Sequence, residues 1–144
     1  MIDIRSLTAE DRADWEVLAR GYKGFYSNLL PADAYDKTWQ RLLDGPDLHG
    51  IGAWLDGRLV GIAHYLCHAA FWTADCCYLQ DLYVAEEARG QGAGRALIDE
   101  VALVARARGC ARLYWTTKQD NEVARALYDK VAEFRGFIRY DHPV

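Results

Sequence analysis

The chain has 144 residues, of which 51% are hydrophobic and 26% charged, and its formal net charge is −4 at pH 7. This length and composition exclude a disordered chain and predict a single domain over residues 1–144, which buries about two thirds of its unfolded surface. The 17 Lys and Arg residues are dispersed, which argues against a nucleic-acid partner. The sequence shows neither an apolar run of the ~18 residues that span a membrane nor a signal-peptide pattern, so we expect a cytoplasmic protein without membrane attachment.

The first half of the sequence predicts one strand and two helices. The strand covers residues 2–5, and Thr8-Ala-Glu-Asp11 then has the pattern of a capping box at a helix start. Apolar residues follow at the spacing of one helical face, namely Trp15, Leu18, Ala19 and Tyr22. A second helix begins near Pro31 and ends at Gly45-Pro46, and its apolar stripe contains Tyr35, Trp39, Leu42 and Leu43.

The second half changes to a strand pattern and then alternates. Residues 51–55 and 59–66, separated by Asp56-Gly57, predict a hairpin, and residues 76–84 predict the next strand. A helix then ends at Gly109, a strand covers 113–117, a helix covers 121–131, and a short strand lies around 137–140. The predicted order is β-α-α-β-β-β-α-β-α-β, which favours a mixed α/β sheet with helices on both faces.

Neither the cysteines nor the histidines predict a metal site. His64 and His68 lie in a strand-like run, where their spacing does not converge on one metal. The cysteines have no C-x-x-C spacing, so we expect reduced structural thiols; they are Cys67, Cys76, Cys77 and Cys110.

Three glycines alternate with other residues between a strand and an amphipathic helix: Gly90, Gly92 and Gly94. Glycine permits positive φ, and successive N–H groups at a helix start bind anions. The pattern predicts a phosphate or pyrophosphate site, with a simple strand-to-helix turn as the alternative. A triphosphate-binding loop is disfavoured because no Gly-Lys-Ser/Thr is present, and the third glycine is misplaced for a dinucleotide fingerprint.

Several motifs together resemble one family. Arg89-Gly-Gln-Gly92-Ala-Gly94 resembles the R/Q-x-x-G-x-G/A loop of the GNAT superfamily of acetyl-CoA-dependent N-acetyltransferases, and Leu82 and Val84 match the L-x-V strand end before it. Asn121-x-x-Ala-x-x-Leu-Tyr128 resembles the family's last long helix, followed by Gly136-Phe137. The clear resemblance covers about residues 76–140. Within the superfamily, the strand at 78–84 is most similar to that of the spermidine/spermine and thialysine acetyltransferase group.

The resemblance implies acetyl-CoA as co-substrate, with its pyrophosphate on the backbone of the glycine loop. The pantetheine arm is then expected in a gap beside the strand that ends at Val84, and Asn121 is expected to contact CoA. The implied cofactor-binding residues are Leu82, Tyr83, Val84, Arg89, Gly90, Gln91, Gly92, Ala93, Gly94, Arg95 and Asn121. Solvated surface positions are the alternative for Arg89 and Arg95, and helix capping is the alternative for Asn121.

Tyr128 is the predicted general acid. Acetyl transfer to an amine expels a thiolate, and a tyrosine with a pKa near ~10 is able to protonate it. Tyr128 follows Asn121 by seven residues, so both lie on about the same face of one helix. The alternative is that Tyr128 only continues an apolar core stripe.

The predicted base is less definite. The similar strand in the polyamine and thialysine group carries an acidic residue where this chain has Gln80, and an amide does not accept a proton near neutral pH. Asp81 is therefore the candidate base and ammonium-binding residue, with an ordered water chain or a structural role as alternatives. Strand alternation places Gln80 with Leu82 and Val84, and Asp81 on the opposite face with Leu79 and Tyr83.

The acceptor side is specified least. The resemblance implies that the first two helices shape the acceptor groove, so we expect Tyr26 and Gln80 to contact the substrate together with Asp81. Tyr22, Phe25 and Asn28 are further candidates there, with ordinary core packing as the alternative. Little chain remains for a final strand pair, which favours a homodimer that completes the sheet edge.

The resulting prediction is an N-acetyltransferase that acts on a small primary amine, such as a polyamine, an amino acid or an analogue, by direct attack in a ternary complex. The alternatives are a protein lysine or N-terminal acetyltransferase and a catalytically weak CoA-binding module. A nucleotide-binding regulatory domain is the remotest interpretation.

Overall fold

The computed structural model describes residues 1–25 and 30–144. Its regular elements follow the predicted order up to the last helix. The strands are β1 (Ile2–Ser6), β2 (His49–Leu55), β3 (Arg58–His68), β4 (Cys76–Val84) and β5 (Arg112–Tyr114). The helices are α1 (Arg12–Phe25), α2 (Ala32–Asp44), α3 (Ala93–Ala107) and α4 (Glu122–Val131), with short 3₁₀ turns at Ala9–Asp11 and Glu86–Ala88.

The five strands form one mixed sheet in chain order. Neighbouring strands are antiparallel except β4 and β5, which are parallel. A Cβ atom on Gly61 of β3 would lie 3.1 Å from Leu97 of α3, whereas His64 bonds Trp15 of α1. Residues an odd number apart on a strand face opposite sides, so α1 and α3 cover opposite faces, and the predicted α/β architecture is confirmed.

Local signals in the first half are also confirmed. The backbone N–H of Thr8 donates to the Asp11 carboxylate over 2.8 Å, as expected of a capping box. Asp56 and Gly57 both have positive φ, 51° and 78°, which is the backbone of a tight two-residue hairpin turn. Within residues 1–25 and 30–144, no helix is long and apolar enough to cross a membrane.

Two predictions about the end of the sheet are wrong. The strand expected around 137–140 is irregular chain, and Phe137 and Tyr140 are 85% and 87% exposed. The strand expected over 113–117 stops at Tyr114, because its pairing with β4 also stops there. A strand needs a neighbour for its backbone groups, and β5 is the edge of the described sheet.

Candidate active site

A cleft opens where β4 and β5 separate. The two strands pair only from Cys76 and Arg112 to Tyr78 and Tyr114. Beyond that point side chains from α1, β4, α4 and the segment after β5 surround the space. The lining residues are Tyr22, Leu79, Gln80, Leu82, Trp115, Thr116 and Tyr128. An extended chemical group can therefore lie beside β4, where the backbone lacks a neighbouring strand.

The glycine loop joins the end of β4 to α3. Gly90 and Gly92 have φ of 80° and 92°, and Gly92 is the residue immediately before the helix. The first intrahelical bond is donated by Ala96 to the Gly92 carbonyl, so the N–H groups of residues 93–95 have no acceptor within the helix. Most of the loop is exposed, whereas Ala93 is buried and Gly94 partly buried. The geometry suits a pyrophosphate at the helix start.

The two arginines of the loop behave differently. The Nε–H of Arg89 donates to the Val84 carbonyl over 3.0 Å. Its guanidinium carbon lies 5.5 Å from the Tyr83 ring centroid and 5.8 Å from that of Phe25. Arg89 thus lies near the end of α1. Arg95 is exposed in the first turn of α3.

Tyr128 lies on the α4 side of the cleft. Its ring packs edge-on against Trp115, with centroids 5.4 Å apart, and it is partly buried. Asn121 precedes the same helix but makes no side-chain cap bond, and its amide nitrogen instead donates to the Thr117 hydroxyl over 3.2 Å. Tyr128 thus both packs against the edge of the core and lines the cleft beside β4.

A β-bulge changes the faces predicted for β4. Asp81 pairs with His64, but the next pair joins Leu79 to Tyr65, so Gln80 is an extra residue. Tyr65 and His64 are consecutive residues and face opposite sides of the sheet. Their partners in β4, Leu79 and Asp81, therefore also face opposite sides. The prediction that Leu79 shares a face with Asp81 is wrong, because a bulge interrupts alternation. Gln80 is exposed and lines the cleft, whereas Asp81 is not among the lining residues.

Asp81 lies on the α1 side of the sheet, opposite His64. Its Oδ2 is 2.9 Å from His64 Nδ1, and the two side chains are 19% and 13% exposed. Burial by itself raises the pKa of the Asp81 carboxyl, but hydrogen bonds from His64 and Tyr22 and the nearby Lys23 ammonium hold that pKa below its ordinary value. Asp81 is therefore an ionised carboxylate at neutral pH.

The inference from sequence missed His64 and Trp15. His64 was considered only as a metal ligand, yet it connects Trp15 to Asp81 through both ring nitrogens. One signal was present, since a polar residue in an apolar strand such as β3 needs a buried partner. Tyr26 and Asn28, both expected on the acceptor side, lie outside the described residues. Within the described ranges no group of three or more His, Cys, Asp or Glu residues is placed to hold a metal ion.

Comparison with known proteins identifies the family. The model of the acetyltransferase (GNAT) family matches residues 15–134. The chain belongs to the GNAT family. It is therefore an acetyl-CoA-dependent acetyltransferase, and the resemblance of the glycine loop is confirmed at the level of the family.

Individual members of the family are also similar. The chain is 35% identical over 136 residues to the D-amino-acid N-acetyltransferase HPA3 of Saccharomyces cerevisiae. The aligned region covers 91% of this acetyltransferase and 84% of the yeast protein. It is 39% identical over 117 residues to a thialysine N-epsilon-acetyltransferase of Bos taurus, covering 81% and 68% respectively.

A solved structure confirms the fold. The aminoglycoside acetyltransferase AAC(6')-Iy, bound to a bisubstrate analogue that contains CoA, superposes with a TM-score of 0.88 at 18% identity. The superposition covers 100% of this acetyltransferase and 99% of that chain.

Proposed function

We propose that this acetyltransferase transfers the acetyl group of acetyl-CoA to the primary amine of a small molecule by direct attack in a ternary complex. The observation that carries the proposal is the cleft, because Gln80 and Tyr128 line the same opening beside β4. The glycine loop follows directly from the end of that strand. Thioester, amine and proton donor thus have adjoining places.

The chemistry assigns complementary roles to the two sides of the cleft. The ammonium substrate first loses a proton, whose final acceptor is Asp81, and the neutral amine attacks the thioester carbon. Backbone groups of Leu82 to Val84 polarise the thioester carbonyl. As the C–S bond breaks, Tyr128 gives its proton to the leaving thiolate and regains one from the amine nitrogen, while Asp81 returns its proton to solvent.

The cysteines support direct transfer over an acetyl-cysteine intermediate. Burial raises the pKa of Cys77 to about 12, and burial also raises the pKa of Cys110. A thiol held in its neutral form is a poor nucleophile. In the described part of the chain no cysteine is among the residues lining the cleft.

Charges near the acceptor side favour an amino acid over a polyamine. Lys23 follows Tyr22 on α1, with its ammonium 5.5 Å from the Tyr22 ring centroid. The Arg89 guanidinium lies over Tyr83 on the same side. The α1 side of the sheet therefore carries one carboxylate, Asp81, and two cations, Lys23 near Asp81 and Arg89 at the end of β4. This balance suits a substrate with a carboxylate beside its amine and repels a polycation. The name of the yeast relative, a D-amino-acid N-acetyltransferase, agrees with this substrate class.

An amine panel tests the proposal. Free thiol released from acetyl-CoA is measured with D- and L-amino acids, thialysine, spermidine, an aminoglycoside and a lysine peptide. We expect the amino acids and thialysine to give the highest kcat/KM, and spermidine to give less. If none of the amines is acetylated although acetyl-CoA binds, the chain is a CoA-binding module; if only the peptide reacts, it is a protein acetyltransferase.

We also propose that the enzyme is a homodimer. The edge strand β5 has only three residues, and the apolar side chains of residues 134–140 are exposed. A second copy is the occupant that suits both features, since its own tail can pair with the free edge and cover these side chains. Light scattering of the full chain should give twice the monomer mass, and truncation after residue 132 should give the monomer.

A further inference from the structure

We propose that Trp15, His64, Asp81 and Tyr22 form one hydrogen-bonded chain that accepts the proton of the amine, with His64 as the positioning residue for Asp81 and Tyr22 as its link to the cleft. The inference rests on the proposed function, because it concerns the base of the same reaction. It assigns a role to Trp15, His64 and Tyr22, which lie outside the glycine loop and the CoA-binding strand.

The hydrogen-bond directions fix the form of His64. The indole nitrogen of Trp15 lies 2.9 Å from His64 Nε2, and an indole N–H only donates. Nε2 must therefore accept, which leaves the proton of a neutral imidazole on Nδ1. That proton is donated to Asp81 Oδ2 over 2.9 Å. A proton on Nε2 would oppose the Trp15 N–H, so Trp15 selects both the tautomer and the ring orientation.

This arrangement fixes the carboxylate from the core. Trp15 is fully buried, and its ring also packs on Trp39, with centroids 4.8 Å apart. Asp81 is opposite His64 in the strand pairing, so the bond between them joins neighbouring positions of one rigid sheet. With Oδ2 held by His64, the carboxylate has little freedom to rotate, and its remaining lone pairs face α1.

Tyr22 connects the carboxylate to the cleft. It lines the cleft together with Gln80 and Tyr128, and hydrogen bonding by its side chain helps to hold the pKa of Asp81 below its ordinary value. Its ring is held edge-on against Tyr83, with centroids 6.2 Å apart. Tyr22 is thus a side chain that both borders the substrate space and interacts with a carboxylate that does not itself line that space.

The proton transfer balances without another reactant. The ammonium passes a proton to the Tyr22 oxygen as the Tyr22 O–H proton moves to Asp81, so ammonium and carboxylate become amine and carboxylic acid. His64 keeps its Nδ1 proton throughout and stabilises the carboxylate form by donating to it. The groups facing Asp81 are His64 from β3 and Tyr22 and Lys23 from α1. The exposed Gln80 has no part in this route, which explains how an amide is tolerated there.

The first test reads the tautomer directly. Nitrogen-15 NMR of the intact protein distinguishes a protonated from an unprotonated ring nitrogen in each histidine. We expect His64 to have a protonated Nδ1 and an unprotonated Nε2 near neutral pH, and Trp15→Phe to abolish that preference. A proton on His64 Nε2 in the wild type overturns the inference, whatever the enzyme acetylates.

The second test is kinetic and uses His64→Leu, Tyr22→Phe and a matched control, His49→Leu. His49 is a partly buried histidine of β2 that stacks on Tyr65, on the α3 side. With the best amine of the panel, we expect His64→Leu and Tyr22→Phe to lower kcat/KM about 10–100-fold, a fraction of what a general base contributes. The KM for acetyl-CoA should remain as in the wild type in both variants. The control His49→Leu should keep the kcat/KM of the wild type.

The pH profile separates positioning from simple loss of stability. Without the His64 donor, burial dominates and the pKa of Asp81 rises. The acid limb of kcat/KM should therefore move to higher pH in His64→Leu and stay in place in His49→Leu. If the wild type is active and His64→Leu keeps both its rate and its acid limb, the inference fails while the proposed function stands. An inactive wild type with the expected NMR tautomer refutes the proposed function alone.

Discussion

Gln80 and Asp81 are consecutive residues of β4, yet only Gln80 lines the cleft, whereas Asp81 lies opposite His64 on the α1 side. The bulge at Gln80 produces this division, since it makes Leu79 and Asp81 face opposite sides of the sheet. In the proposed mechanism, the residue that meets the substrate is therefore an uncharged amide, and the carboxylate is reached through Tyr22. One acidic side chain could combine substrate contact with proton acceptance, but on this strand we assign these two functions to different residues.

Replacement of Asp81 by asparagine tests its role as the base. The amide can still accept the hydrogen bond of His64, but it takes no proton. We expect kcat for the preferred amine to fall by about 10²–10⁴-fold, the range for a general base. Binding of acetyl-CoA, measured by calorimetry, should be unchanged. A rate within a few-fold of the wild type, with the same pH profile, would remove Asp81 from catalysis.

We expect Gln80→Glu to affect the reaction rate differently in the wild type and in the Asp81→Asn variant. In the wild type we expect little gain near neutral pH, because Asp81 already accepts the proton. In Asp81→Asn, the same change places a carboxylate at the cleft and should restore part of the lost rate. Initial rates of the two single variants and the double variant check both expectations. A large gain in the wild-type background would show instead that the enzyme lacks an effective base.

Tyr128→Phe removes the proposed acid and retains the ring that packs on Trp115. We expect turnover to fall about 10²-fold or more, because the thiolate leaves without a proton donor. The KM for acetyl-CoA should change little, since the substitution removes only the hydroxyl and retains the ring. Trp115→Phe controls for the packing of the aromatic pair. Unchanged turnover in Tyr128→Phe would assign thiolate protonation to another group.

Gly92→Ala tests the anion site at the start of α3. Gly92 has a φ of 92°, and a side chain in the left-handed region costs about 1–2 kcal/mol. The loop should rearrange, and the KM for acetyl-CoA should rise while the KM for the amine is retained. Gly57→Ala is the control, because Gly57 has a φ of 78° in the β2–β3 turn. A similar rise in both variants would mean a general loss of structure.

Asp11→Ala tests the capping box and its dependence on pH. The Asp11 carboxylate accepts bonds from the Arg5 guanidinium and from Thr8, and we expect their loss to lower the free energy of unfolding by about 1–3 kcal/mol at pH 7. The Arg5 hydrogen bond is the main cause that lowers the pKa of Asp11 from its ordinary 3.8.

A carboxylate with a lowered folded-state pKa stabilises the protein above its unfolded pKa, and this contribution disappears as pH falls through the folded value. The difference in free energy of unfolding between wild type and Asp11→Ala should therefore shrink below about pH 4. Urea unfolding at several pH values measures it, with the exposed Asp99→Ala as a control. A difference that is constant down to pH 2 would contradict the assignment.

Much of the fold could be predicted because its signals are local. The Asp56-Gly57 turn, the Thr8 to Asp11 capping box and the stop at Gly45 each act within a few residues. The position of the glycine loop was also predictable, since alternate glycines permit the positive φ that Gly90 and Gly92 adopt before α3. The final strand was predicted from a short local pattern, and it is wrong because 137–140 have no neighbouring strand in the described chain.

The site was only partly predictable because its decisive contacts are distant in sequence. His64 and Asp81 are 17 residues apart, and Trp15 and His64 are 49 apart. Only the sheet register and the packing of α1 bring them together. The bulge at Gln80 likewise has no signature in Tyr78-Leu-Gln-Asp-Leu, so strict alternation was the reasonable expectation and gave the wrong face for Leu79.

The bulge in β4 also has a consequence for how acceptor preference can diverge. In the proposed mechanism, proton acceptance is anchored in the interior by Trp15 and His64, whereas the expected substrate contact is Gln80, an exposed side chain on an extra residue. Substitutions at position 80 can therefore retune which amine is chosen without disturbing the catalytic base. We therefore expect single substitutions at this position to change the range of amines while the buried base is retained.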